Sequence, residues 1–193
     1  LLYADDTCLG FTDINIKTIE SNLNENFNSL CDWFVENKLS IHFGDDKTKT
    51  ILFGSKRRLR MLDKLDIRRD EIKISQHNKI TYLGCILDDN LSGESMASRV
   101  LNKVGGRLNF LYRKESFLNL KLRRMLCNAL IQPHFDYACS AWYANLNKNL
   151  TKKMQTAQNK CIRFCLNLEN RSHIGINKFK KAIGDWSGGK NTC

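Results

Sequence analysis

A single proline, Pro133, stands in a chain of 193 residues, and the eleven glycines form no extended run. That scarcity excludes a proline-rich spacer, a collagen-like repeat and a glycine-rich linker. Long apolar runs are missing too. Nothing approaches the roughly 20 residues that a membrane-crossing helix needs, and no basic start followed by an apolar centre marks a secretory leader. No membrane partner is expected. The chain also lacks an initiator methionine and opens inside an apolar run, which suggests a segment of a longer reading frame.

Acidic residues thin out along the chain. Residues 1–50 carry four Lys/Arg against nine Asp/Glu, and residues 51–100 carry ten against seven. Residues 101–193 carry seventeen against four, so the segment charges are −5, +3 and +13 within a total of +11. An acidic head and a basic tail suggest metal chemistry at one end and polyanion binding at the other. A basic face serves solubility equally well, and charge alone does not separate the two.

What is plentiful is apolar side chain, 42% of residues, enough for a real core. Eight cysteines are dispersed, most of them inside apolar periodic runs, and read as reduced core residues. Cys161, Cys165 and His173 are a weaker candidate for a metal site. The three-residue gap between the cysteines is a helix-face spacing, not the short knuckle of a zinc site.

Periodicity orders the chain. Ile16, Ile19, Leu23, Phe27, Leu30, Trp33 and Phe34 recur at gaps of three and four, which predicts a helix capped by Asp13 and ending near Asn37. Leu39–Phe43 and Thr48–Gly54 flank the turn signal Gly44-Asp45-Asp46 and predict a hairpin. Residues 55–71 read as an exposed connection or a short, weakly held helix. Glu71–Ser75 alternates like a strand. Residues 79–88 read as a strand pair or one long bent strand, with Gly84 at a bulge or a close backbone approach.

From Ser95 the pattern is helical. One stripe is Met96, Val100, Val104, Leu108 and Leu111; a second is Leu118, Leu122, Met125, Leu126, Ala129 and Leu130, ending near Pro133. Phe135–Tyr143 reads as a buried helix and Leu150–Leu168 as a last one. The expected class is α+β: residues 1–92 as hairpins with a covering helix, residues 93–175 as a basic all-α region, and residues 176–193 as a frayed tail.

The chain opens with Leu1-Leu2-Tyr3-Ala4-Asp5-Asp6-Thr7, two adjacent carboxylates between apolar or β-prone runs. This predicts a tight hairpin with Asp5 and Asp6 at its tip. Acidic residues are good turn formers, and that alone accounts for them. Alternatively the turn aims paired carboxylates at Mg²⁺, a hard ion held by carboxylate oxygens and substrate phosphates.

Taken together, the blocks resemble the reverse transcriptase of non-LTR (LINE-type, jockey-like) retrotransposons. They are Tyr3-Ala4-Asp5-Asp6; the Trp33 helix leading to Leu39-Ser40-Ile41; Lys47-Thr48 before Ile51-Leu52-Phe53; and Tyr82-Leu83-Gly84. Downstream follow Arg123-Arg124-Met125-Leu126, Asp136-Tyr137-Ala138, Trp142-Tyr143 and Gln158–Arg163, and the likeness spans roughly residues 1–180. The resemblance implies part of a polymerase palm followed by a helical thumb, with RNA template, DNA primer and dNTP as partners and Mg²⁺ as cofactor.

By the same resemblance, Asp5 and Asp6 would be the catalytic metal carboxylates and Tyr3 would lie near the template–primer backbone. Lys47 would sit beside the triphosphate, an exposed turn lysine being the equal alternative. Tyr82, Leu83 and Gly84 would form the primer-grip hairpin. Lys103, Arg107, Arg123 and Arg124, together with Arg113, Lys114 and Lys121, would contact phosphates. The location implied is intracellular, in a nuclear or cytoplasmic ribonucleoprotein.

Three features depart from the family pattern. An upstream metal aspartate and the template-binding fingers are expected but not among these residues. The stretch His42–Asp46 is a longer turn than the family shows, and Ile183–Gly189 replaces the usual tail. The expectation is therefore a fragment of an RNA-directed DNA polymerase that is inactive alone. The other reading is a non-catalytic nucleic-acid-binding or structural remnant.

Overall fold

Helices spaced by threes and fours and hairpins closed by left-handed residues make this a mixed α+β chain. The computed structural model describes residues 2–3, 6–45, 47–169 and 173–174. Contacts divide the chain into two compact units, residues 1–91 and 92–193.

In the first unit, β1 (Leu2–Tyr3) pairs antiparallel with β2 (Asp6–Thr7), Leu2 opposite Thr7 and Tyr3 opposite Asp6. Asp6, expected at the hairpin tip, is therefore a strand residue, and Asp5 lies outside the described residues. Helix α1 spans Ile16–Glu36. Its cap is Asn15, whose side chain accepts from the Lys17 amide at 3.0 Å, rather than Asp13. Asp13 instead accepts from the Asn15 amide at 2.7 Å and steadies the cap.

The helix buries little. Cys31 is its one fully buried residue, and Trp33, predicted on the apolar stripe, is 51% exposed. Ile16, Leu23 and Phe27 pack instead, with Phe43 and Leu52, on a small core of Leu65, Ile67 and Ile74.

The hairpin expected over residues 39–54 is not formed. Residues 39–43 are irregular, and the turn at Gly44 closes on itself through the Lys47 amide (2.9 Å) and the Thr48 amide (3.1 Å). Residue 50 finds another partner: its amide donates to Ser75 and its carbonyl accepts from His77, a parallel bridge to Gln76. Alternating apolar residues suit several edges equally, and this segment docks Phe43 and Leu52 into the core rather than pairing locally.

Within residues 55–71 lie α2 (Lys56–Leu59), capped by Ser55, and two core residues that the charge-rich composition concealed, Leu65 and Ile67. β3 (Arg68–Arg69) pairs with β4 (Ile72–Lys73). β5 (Lys79–Tyr82) pairs with β6 (Cys85–Asp88). The turn between them is Leu83 (φ 46°) and Gly84 (φ 76°). Two successive left-handed residues are what a two-residue hairpin demands, so Gly84 is a turn position rather than a bulge.

The second unit is helical. α3 (Glu94–Arg113) buries Met96, Val100, Val104, Leu108 and Leu111, the stripe read from spacing. Gly93 precedes it at φ 69°, where a Cβ would meet the Trp142 carbonyl oxygen at 2.1 Å; only glycine fits. α4 (Leu120–Leu130) departs from expectation: Arg123 and Cys127 face the interior, while Leu122, Met125 and Leu130 are exposed.

α4 ends at Leu130, near Pro133 as expected, and Pro133 itself sits in the first turn of α5 (Gln132–Asp136), where a missing N–H costs nothing. The buried helix expected over 135–143 shrinks to α6 (Cys139–Trp142), following left-handed Ala138. Phe135 and Trp142 do enter the core. α7 (Lys148–Leu166) buries Met154, Ile162, Phe164 and Cys165. Among the described residues, no helix is long and apolar enough to cross a membrane.

Candidate functional site

Three groups of side chains carry chemistry. The first is the acidic hairpin. Its register sets Tyr3 across from Asp6, and the Asp6 residue is exposed. An exposed carboxylate on a short strand is a hard oxygen donor of the kind Mg²⁺ takes.

Lys47 is exposed and held in the Gly44 turn, with Thr48 Oγ1 donating to the His42 carbonyl at 2.7 Å. Tyr82, Leu83 and Gly84 share the β5–β6 turn, and the buried Tyr82 hydroxyl finds no hydrogen-bond partner among the described residues.

The second group is a basic stripe on α3. Arg99, Lys103 and Arg107 stand four residues apart, so they share one face of the helix. All three act on His134 of α5: burial first, then Arg107, Lys103 and Arg99, hold its imidazole below its usual pKa. Its Nε2 is enclosed without a hydrogen-bond partner among the described residues. Arg107 also donates to the Leu130 carbonyl at the end of α4, which fixes the stripe against a helix C-terminus. Sequence reasoning named Lys103 and Arg107 and missed Arg99 and His134. The i, i+4, i+8 spacing of the cations was there to be read.

Arg123 requires a correction. Expected on a phosphate-facing surface, it is 7% exposed. Its guanidinium donates to the carbonyls of Leu118 (3.0 Å) and Glu115 (2.8 Å) and to Asn167 Oδ1 (2.9 Å), and lies 5.1 Å above the Phe164 ring. Five fixed donors in a fork suit the collection of several carbonyl oxygens at helix ends. Arg123 is a structural residue that joins the 115–118 turn to the end of α7. Arg124 is half-buried, and its positive charge acts on the Cys165 thiol.

The third group is the thiol cluster of Cys127, Cys161 and Cys165, whose sulfurs all lie within 4.8 Å of one another. Hydrogen bonds from Cys127 and Cys161, then the charges of Arg124 and Arg123, hold the Cys165 thiol well below the usual range, at about 4. The same contacts push Cys127 upward. His173, grouped with Cys161 and Cys165 from sequence, is not part of this cluster; Cys127 takes that place.

Comparison with protein-family models, curated proteins and solved structures returned no match.

Proposed function

We propose that the chain is part of an RNA-directed DNA polymerase of a mobile element, with a palm-like first unit and a thumb-like second unit. The observation that carries this reading is the hairpin register: Tyr3 and Asp6, the first and last residues of Tyr-Ala-Asp-Asp, lie opposite each other on two antiparallel strands. A rigid short hairpin is a suitable support for carboxylates that must hold ions in fixed positions.

Asp5 and Asp6 would hold Mg²⁺, which supplies charge neutralisation at a transferring phosphoryl group. Lys47, on its exposed turn, would add positive charge at the triphosphate. Tyr82, Leu83 and Gly84 would position the primer end. The Arg99, Lys103 and Arg107 stripe would meet duplex phosphates without reading sequence.

These residues alone are expected to bind RNA–DNA duplex rather than extend a primer. Template-primed dNTP incorporation by the purified chain, abolished in Asp5→Ala, would contradict that expectation while upholding the polymerase assignment. The basic stripe favours a second reading, a non-catalytic nucleic-acid-binding protein. The two separate on the acidic hairpin. In the polymerase reading Mg²⁺ tightens dNTP binding and Asp6→Ala removes that effect; in the binding reading Asp6→Ala leaves duplex and dNTP affinity unchanged.

A further inference from the structure

Three of the five cysteines in residues 92–193 lie together. Cys161 and Cys165 stand one turn apart on α7, and Cys127 faces them from α4. Cys127 and Cys165 are each 2% exposed and Cys161 is half-buried, so the sulfurs converge in a largely dry place. Zinc–sulfur bonds of about 2.3 Å set thiolates on one ion about 4 Å apart. The 4.8 Å that bounds all three separations is within a small side-chain rotation of that value.

The surroundings favour negative charge at this point. Arg124 and Arg123 both act on Cys165, and the Arg124 Nε is enclosed with no hydrogen-bond partner among the described residues. Three thiolates around a cation carry a net negative charge that would balance them.

We propose that Cys127, Cys161 and Cys165 form a three-thiolate site for a thiophilic closed-shell cation, Zn²⁺ or Cu⁺, clamping α4 to α7. Soft sulfur donors select these ions over Mg²⁺ or Ca²⁺, so the site is independent of the acidic hairpin and of the polymerase reading. Loading displaces thiol protons into solvent as metal–sulfur bonds form, with no change of oxidation state. With three protein ligands, Cu⁺ is satisfied as a trigonal complex, whereas Zn²⁺ takes a fourth ligand from solvent. The site is therefore a structural clip open to exchange at one position.

The test uses the full chain, reduced and stripped of metal, titrated separately with Zn²⁺, with Co²⁺ as its spectroscopic substitute, and with Cu⁺ against chromophoric chelators. The expected result is one equivalent bound, a thiolate-to-cobalt charge-transfer band, and at least tenfold weaker binding in Cys127→Ala and Cys161→Ala. Cys31→Ala, in α1, serves as the control and should bind as the parent does. Far-ultraviolet circular dichroism shows whether each variant keeps its helices. Should a variant unfold, alkylation of the parent chain decides the matter: bound metal should slow labelling of Cys161, the half-buried member of the three, and leave labelling of the exposed Cys8 unchanged. Absence of uptake, uptake unchanged in both cysteine variants, or equal labelling of Cys161 with and without metal would each overturn the site.

Discussion

The two units are held together by different means. The second buries aligned apolar stripes from α3 and α7 and closes them with Trp142, Phe164 and Ile131. Among the described residues, the first has a small buried apolar cluster, Leu65, Ile67 and Ile74, with Cys31 and Cys85 buried besides. What it has besides is a polar ladder. Glu20, Asn24, Asn28 and Asp32, at four-residue intervals on α1, take the partners a neighbouring strand would take. Glu20 accepts from the Asp66 amide at 2.9 Å, and Asn24 accepts from the Arg68 amide and donates to the Asp66 carbonyl, both at 2.9 Å. Asn28 donates to the Arg68 carbonyl at 3.3 Å, and Asp32 pairs with Arg69 at 2.6 Å. A helix can thus hold a strand through directional bonds where it has little grease to offer. Such bonds contribute about 1 kcal/mol each, against about 2 kcal/mol or more for a buried aliphatic side chain.

The largest expected effect falls in the second unit. Trp142→Ala should cost about 4 kcal/mol, because the side chain is 1% exposed and its indole donates to the Tyr137 carbonyl at 3.1 Å. Hydrogen exchange should quicken through α3 and α7 while the amides of β5 and β6 keep their protection. Loss spread evenly over both units would break the comparison.

Next is Arg123→Met, which keeps bulk but strips donors from Glu115, Leu118 and Asn167. It should cost about 2 kcal/mol in denaturant unfolding and leave the salt dependence of duplex binding unchanged. A flatter salt slope would return Arg123 to the nucleic-acid surface. Smaller again is Asn24→Ala, expected to cost about 1–2 kcal/mol and to speed exchange at the amides of residues 66–69 specifically.

The smallest effect is a pH dependence at His134. Its folded pKa is depressed, so below its usual value near 6.5 the unfolded chain binds more protons than the folded one. The stability it contributes is present above that value and is lost as pH falls through the folded pKa. His134→Gln should flatten this part of the profile. Bound phosphates near Arg99, Lys103 and Arg107 would offset their charge and raise the His134 pKa, so duplex affinity should increase as pH falls through the same window.

Legibility in the sequence follows the same divide. The α3 stripe was readable because apolar spacing and burial coincide on a helix that packs along its whole length. The α+β class was readable for the same reason, since both periods are present. Three features misled. On α1 the polar residues between apolar ones look like a solvent face, yet they bond the backbone of residues 66–68. On α4 the interior positions are Arg123 and Cys127, and an apolar-only pattern assigns Leu122 and Met125 instead. In residues 39–54 alternation signalled a local hairpin, but the pairing partner was some 25 residues onward, at Ser75 and His77.

The site divides likewise. The Tyr3–Asp6 and Tyr82–Cys85 pairings are local, and the sequence marked both stretches, yet it placed Asp6 at a tip and Gly84 at a bulge or close approach rather than in a strand and a turn. The thiol cluster and the His134 contact join residues far apart in the chain, which no spacing rule announces.

The most direct measurement is the salt dependence of RNA–DNA duplex binding by the whole chain, with and without Arg99→Gln and Lys103→Gln. Log affinity is predicted to fall linearly with log salt. The two replacements together should reduce the slope by about 2, roughly one for each phosphate that is no longer neutralised. Binding whose slope is the same in the parent and the double variant, or no binding to duplex at all, would contradict a phosphate-facing stripe on α3.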